Sequence, residues 1–148
     1  MLKKLTGSAI LASGMAMVAI VGGATVAHAA SVSGACTTSG LSATGWVHYT
    51  YVSSTARDKI DKFTWQINGQ SGSTQNDVIL ELKRDVNVGS DTVHYSWSTG
   101  SASNGAGSHT PSQAVSVPAS YNAYGRFNFI FDRNNASDPS CVATTSRF

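Results

Sequence analysis

Apolar and polar residues alternate through most of the chain after the first 30 residues. In the segment 46–52, Val47 and the tyrosines at every second position after it alternate with Trp46, His48 and Thr50. A period of two places successive side chains on opposite faces of a β-strand, and no long segment of this region carries the apolar stripe of a helix. The pattern therefore predicts an all-β domain.

Seven to eight short strands are predicted, separated by turn signals. They surround Cys36 and cover 46–52, 63–67, 77–83, 93–97, 114–117, 126–131 and 140–145, with Val93, Tyr95 and Trp97 on one apolar face and Phe127, Phe129 and Phe131 inward. Short strands rich in β-branched and aromatic residues, with no helices between them, favour two packed antiparallel sheets. We therefore expect an antiparallel β-sandwich, in the style of an immunoglobulin-like domain or a jelly roll.

One stretch of low complexity interrupts this alternation. Residues Ser98 to Thr110 are mostly Ser, Gly and Ala. Such a segment has little apolar surface to bury against the entropy lost on ordering. We expect it to be a mobile surface loop, and loops of this kind on a rigid sandwich often carry recognition.

The first 29 residues have the features of a secretory signal peptide. Lys3 and Lys4 precede an apolar stretch, and Ala27, His28 and Ala29 form a small-x-small cleavage site. The apolar stretch is short for a membrane anchor, and no second long one follows. We therefore expect a single secreted domain, residues 30–148, with no membrane anchor after signal removal.

The number and distribution of charged residues bear on which partners the chain can bind. The 148 residues include ten basic and eight acidic ones, and loss of Lys3 and Lys4 leaves eight of each, scattered along the chain. Binding of nucleic acid or of an anionic membrane surface requires a concentrated basic region, so neither is expected. No Gly-rich phosphate loop with a following Lys occurs, and no cofactor is predicted.

Cys36 and Cys141 lie near the two ends of the predicted domain. Outside the cytoplasm, two thiols in one small domain usually pair, so we predict a disulfide that joins the first and last strands. The alternative is a lipoprotein with lipid on Cys36, but the residues before it lack the expected Leu-like position.

The sequence contains neither the serine-hydrolase motif nor an evident pair of catalytic carboxylates, and no catalytic residue is predicted. The chain has no Gly-x-Ser-x-Gly sequence, and Glu81 is the only Glu, on the outward phase of its strand. A small secreted hydrolase remains an alternative, and it requires His48, His94, Glu81 and the loop that begins at Asp132 to meet in one pocket.

Metal ligation has only weak candidates. His48 and His94 could meet if their strands were neighbours, and Asp132, Asn134 and Asp138 concentrate oxygen ligands in one loop. Asp and Asn are equally typical of turns, where they bond the nearby backbone. No metal is therefore assigned.

Aromatic residues outside the expected core suggest binding. Trp46 lies on the phase opposite Val47, and Tyr121 and Tyr124 lie in a turn-like segment. Exposed rings offer contact area with little side-chain entropy to lose. We expect a non-catalytic binding protein for an extracellular protein or glycan; the further alternative is a secreted inhibitor or antagonistic toxin that uses the loop 98–110.

Overall fold

The computed structural model describes residues 27–70, 75–134 and 136–148. Residues 1–26 of the predicted signal peptide lie outside the described residues, as do residues 71–74 of a predicted turn and Asn135. The first described strand begins at Ala27, three residues before the predicted start of the secreted domain.

The described chain forms two antiparallel sheets, which confirms the predicted all-β sandwich. Its nine strands are β1 (Ala27–Thr38), β2 (Leu41–Val52), β3 (Arg57–Asn68), β4 (Asn76–Arg84), β5 (Thr92–Ala102), β6 (Gly105–His109), β7 (Val115–Pro118), β8 (Ala123–Ile130) and β9 (Ser140–Thr144). Sheet A has the order β1-β2-β3-β6, with β7 also paired to β3, and sheet B has the order β5-β4-β8-β9.

The core consists of the inward residues of both sheets. Phe63 on β3, Phe127 and Phe129 on β8, and Phe131 just after β8 are fully buried. Phe127 and Phe129 stack on one another, with ring centroids 6.0 Å apart, and Phe63 meets Phe127 edge to face. Rings of this size bury large apolar areas and gain further from these geometries, so they dominate the packing between the sheets.

A disulfide closes one edge of the sandwich. Cys36 on β1 is bonded to Cys141 on β9, with 5.8 Å between their Cα atoms, which confirms the predicted bridge. The two strands also approach closely at Gly34, where a Cβ would overlap the backbone of Thr144. The bridge therefore joins the edge strands of two different sheets.

The opposite edge is closed by β5 and β6, and here the expected mobile loop is wrong. Residues 98–102 continue β5 in sheet B, and Gly105–His109 form β6, which pairs with β3 in sheet A. The reason is the pairing of Trp65 with Gly107: a Cβ at Gly107 would overlap the indole, so only glycine lets the ring pack against the β6 backbone. A strand whose only apolar side chain is the methyl group of Ala106 thus covers a large apolar side chain of its neighbour.

An aromatic stack reinforces this edge. The His109 ring lies 4.0 Å, centroid to centroid, from Trp97 and is nearly parallel to it. The Tyr95 hydroxyl and His109 Nε2 share a hydrogen bond. Burial lowers the pKa of His109, so the imidazole is neutral at pH 7.

Two irregularities in the pairing change which face a residue occupies. The β2–β3 register shifts between His48 and Tyr49, so that Asp58 points inward and is only 5% exposed. The β4–β5 register shifts between Leu82 and Lys83, and Val93, which was expected to share the inward face of Tyr95, is 46% exposed. An extra residue in one strand of a pair reverses the alternation beyond it.

We expect the disulfide to be a major contributor to stability. Replacing both Cys36 and Cys141 by Ser frees a loop whose ends are 105 residues apart, and the chain-entropy relation assigns such a loop about 4–5 kcal/mol. Guanidinium unfolding of the double variant should show this loss, and reduced wild-type protein should match it. An unfolding free energy equal to that of the oxidised protein would contradict the role of the bridge.

Substituting Gly107 tests whether residues 105–109 form an ordered strand. Gly107→Ala should destabilise the protein by about 2–3 kcal/mol, because the added methyl group displaces the Trp65 indole. Ala106→Ser, at the exposed neighbouring position, is the control and should change stability by less than about 0.5 kcal/mol. Equal unfolding midpoints for the two variants would indicate a mobile segment instead.

Candidate functional site

The outer face of sheet A carries a depression of about 620 Å³. Side chains from four strands line it: Ser31 on β1, Trp46 and His48 on β2, Thr64 and Gln66 on β3, and Ser108 on β6. These positions alternate with inward residues such as Val47 and Phe63, so the strand period directs them outward. We call this feature the sheet A depression.

Trp46 is the largest outward-facing side chain in the depression, and the buried Trp65 also lines it. Its cross-strand neighbours are Ser33 on β1 and Thr64 on β3, and Ser108 follows Thr64 on β6. Directly opposite side chains in a sheet lie about 5 Å apart, so small neighbours leave the sides of a large ring uncovered. The ring is half-buried at the surface, where it can accept a flat apolar partner.

His48 and Thr64 form the polar part of the depression next to Trp46. His48 Nε2 lies 2.8 Å from Thr64 Oγ1. Burial lowers the pKa of His48, the positive charge of Lys62 lowers it further, and Asp61 opposes both. The imidazole is therefore neutral at pH 7, and its other ring nitrogen has no hydrogen-bond partner among the residues that the structure describes.

Gln66 extends the polar row toward the end of β3. Its amide nitrogen donates to Asn68 Oδ1 at 3.1 Å. Within the described chain, the amide oxygen of Gln66 has no partner. The depression thus combines hydroxyl, imidazole and amide groups, all of them neutral, with the outward indole of Trp46 and the buried indole of Trp65.

Tyr121 and Tyr124, the other predicted ligand-binding rings, do not lie with Trp46. Tyr124 is on β8 in sheet B and is 6% exposed, and its hydroxyl donates to the Asp91 carboxylate. Burial, with a smaller effect of Asp91, raises the pKa of Tyr124 to about 12. The Arg84 guanidinium covers the Tyr121 ring at 3.9 Å. Both tyrosines contribute to local packing here, and the three rings do not form one groove.

The histidines that were considered as metal ligands lie on different sheets. His48 is on β2 in sheet A, and His94 is on β5 in sheet B, where its ring lies 5.7 Å from that of Tyr121. The condition that their strands be neighbours is therefore not met.

The loop after β8 shows turn contacts. Asp138 Oδ1 accepts a hydrogen bond from the Arg133 amide at 2.8 Å, and the Asp132 amide donates to Asn76 Oδ1. Asn134 is exposed. In residues 27–70, 75–134 and 136–148, no group of three or more His, Cys, Asp and Glu side chains is placed to hold a metal ion.

The residues proposed for a hydrolase are dispersed. Glu81 is paired with Arg126 at 3.1 Å on the outer face of sheet B, whereas His48 lines the sheet A depression. His94 lies on the edge strand of sheet B, and Asp132 follows β8. These four groups share no pocket, so the arrangement that this hypothesis requires is not formed by them.

Asp58 is a different kind of polar group, because it is buried without a hydrogen-bond partner in the described chain. The other two buried polar residues, Asn76 and Thr145, are both hydrogen-bonded. Burial raises the pKa of the Asp58 carboxyl, and burial together with the nearby Asp58 charge raises the pKa of Tyr49. An ionised carboxylate at this position therefore opposes folding.

Comparison with protein-family models, with curated proteins and with solved structures finds no match for this chain. In the part of the chain that the structure describes, no helix has the length and apolar character needed to cross a membrane.

The Asp58 carboxyl predicts a specific pH dependence of stability. Its folded pKa is raised, so between its ordinary value and the raised one the folded state holds a proton that the unfolded state has lost. The unfolding free energy should fall as pH rises through that interval and then level off. The unfolding free energy of Asp58→Asn, relative to that of the wild type, should rise with pH through the same interval and stay constant above it.

Chemical unfolding at a series of pH values measures this difference. Asp77→Asn, which removes a carboxylate from the outer face of β4, is the control for the loss of one negative charge. Parallel profiles for Asp58→Asn and the wild type would show that burial of this carboxylate has no energetic cost.

Proposed function

We propose that this chain is a secreted, non-catalytic binding module that contacts an extracellular protein or glycan through the outer face of sheet A. The observation that carries the proposal is the sheet A depression, in which the half-buried ring of Trp46 lies among small neutral polar side chains. Ligand sites generally combine an apolar contact surface with a few directed polar groups.

The construction of sheet A supports a binding role. The depression lies on long strands, since β1, β2 and β3 each have 12 residues, and β2 is paired on both sides. The backbone of residues in a paired strand is already ordered before a ligand binds. Binding to such a face therefore costs little additional ordering entropy.

Export is supported by the features of residues 1–29 and by the disulfide. A bond between Cys36 and Cys141 is compatible with an extracellular location, because disulfides persist in oxidising compartments. Cleavage after Ala29 would remove three residues of β1 and keep nine of its twelve register pairs with β2, including the pair that contains Cys36. Loss of the signal peptide is thus consistent with retention of the fold.

The inhibitor or toxin alternative has lost its proposed contact surface. That hypothesis used a protruding loop over residues 98–110, and most of these residues are in β5 and β6. A contact through the sheet A depression remains open to an inhibitor as well, but no observation specific to inhibition favours it.

Truncating Trp46 tests the proposed function. Trp46→Ala should weaken binding by at least about tenfold, because a central aromatic anchor contributes about 2 kcal/mol or more. The measurement is binding of the full chain to an array that carries both glycans and extracellular proteins.

Val142→Ala is the matched control, since Val142 is a 44% exposed apolar residue on β9 in the other sheet. It should bind as the wild type does. Binding that survives in Trp46→Ala, or turnover of an array component by the wild-type protein, would contradict the proposal.

A further inference from the structure

The lining of the sheet A depression carries no full charge at neutral pH. Among the described residues there, the side chains are hydroxyl, amide, indole, imidazole and small apolar groups. His48 is neutral because burial and Lys62 lower its pKa. Lys62 is the cross-strand neighbour of His48 but does not line the depression. An anionic ligand normally requires Arg or Lys and a cationic one a carboxylate, so a lining without either is complementary to a neutral ligand.

The polar groups of the depression suit a ligand with many hydroxyl groups. Ser31, Thr64 and Ser108 carry hydroxyls, which both donate and accept hydrogen bonds. The second ring nitrogen of His48 and the amide oxygen of Gln66 lack partners in the described chain. A polyol that donates and accepts at every carbon can satisfy such a mixed set of groups.

Trp46 supplies the apolar surface that such a ligand also requires. A pyranose ring exposes C–H groups on its flat faces while its hydroxyls point around its rim. The indole lies between the small side chains of Ser33 and Thr64, so a ring of similar size can lie against it. The site therefore has an apolar ring beside polar groups, which matches the apolar face and polar rim of a sugar.

The depression extends across the whole width of the sheet. Ser31 is on the edge strand β1 and Ser108 is on the edge strand β6, with β2 and β3 between them. Three spacings between neighbouring strands amount to about 14 Å. Because both ends of this path reach a sheet edge, a ligand longer than the depression can continue beyond it on either side.

A protein partner fits these observations less well. Stable protein interfaces bury about 800 Å² on each partner around aromatic and aliphatic anchors. The large exposed hydrophobic residues of the described chain are Val88, Val93 and Val142, and none of them is on sheet A. Trp46 would be a single anchor in a polar surface.

We propose that the ligand of the sheet A depression is a neutral polysaccharide chain that lies across the strands, with one sugar ring stacked on Trp46. His48, Thr64 and Gln66 hydrogen-bond the hydroxyl groups of the stacked sugar and its neighbours. This inference rests on the proposed function and specifies the ligand class of the same site.

The test measures binding of the full chain to neutral oligosaccharides of increasing length, prepared from glucans, mannans, xylans and chitin. Alginate and heparin serve as acidic probes, and the protein components of the array serve as protein probes. We expect affinity for at least one neutral series to rise with chain length until the depression is filled. Because the ligand carries no charge, affinity should be nearly constant between 0.05 and 0.5 M salt.

Variants assign the contacts. Gln66→Ala should weaken neutral-glycan binding by about fivefold to tenfold, as expected for one lost hydrogen bond. Asn128→Ala is the matched control, since it removes an amide from the outer face of sheet B and should bind as the wild type does. Trp46→Phe should retain more affinity than Trp46→Ala, because a smaller ring still stacks.

The outcomes separate this inference from the proposed function. Trp46-dependent binding to a protein probe or an acidic probe, with none to the neutral series, would overturn the neutral-polysaccharide inference and leave the proposed function standing. Neutral-glycan binding that does not change in Trp46→Ala or Gln66→Ala would overturn the assignment to this face. Absence of Trp46-dependent binding to every probe would overturn both.

Discussion

The contact between the Trp65 indole and the backbone of Gly107 is the constraint on which the rest of the structure depends. It fixes β6 beside β3, and thereby extends sheet A and closes the sandwich at the edge opposite the disulfide. The same contact brings His109 into the stack with Trp97. On the outer side it places Ser108 next to Thr64, which completes the far wall of the depression.

Alternation along single strands was sufficient to predict much of this fold, because burial on one face of a sheet imposes a period of two. The inward positions of Val47, Phe127 and Phe129 follow from it. The disulfide between Cys36 and Cys141 was predicted on a separate ground, which is that two thiols in one small exported domain usually pair. β6 was missed because its inward positions include glycine, whose role is to make room for a ring on another strand. The reversed faces of Asp58 and Val93 were missed because the extra residue in a strand pair depends on the partner strand.

The candidate site, like the fold, could be predicted from the sequence only in part. The outward direction of Trp46 and His48 could be predicted from β2 alone. The residues that lie beside them could not, because these depend on the lateral order of the strands. Thr64 and Gln66 alternate with the inward residues of β3, and this alternation could have predicted that both point outward. The tyrosines at 121 and 124 were candidates because of their turn-like segment, and their packing under Arg84 and against Asp91 is a tertiary property that this segment does not encode.

Native-state hydrogen exchange of the backbone amides in Gly105–His109 is the most direct measurement of the central claim, which is that this segment is a paired strand on sheet A. If β6 is held against β3 as described, the amides that donate to β3 should exchange slowly, near the rate of global unfolding. Exchange of all these amides at the rate of an unstructured peptide would show that residues 105–109 are a free loop, and both the closed edge and the sheet A depression would then be absent.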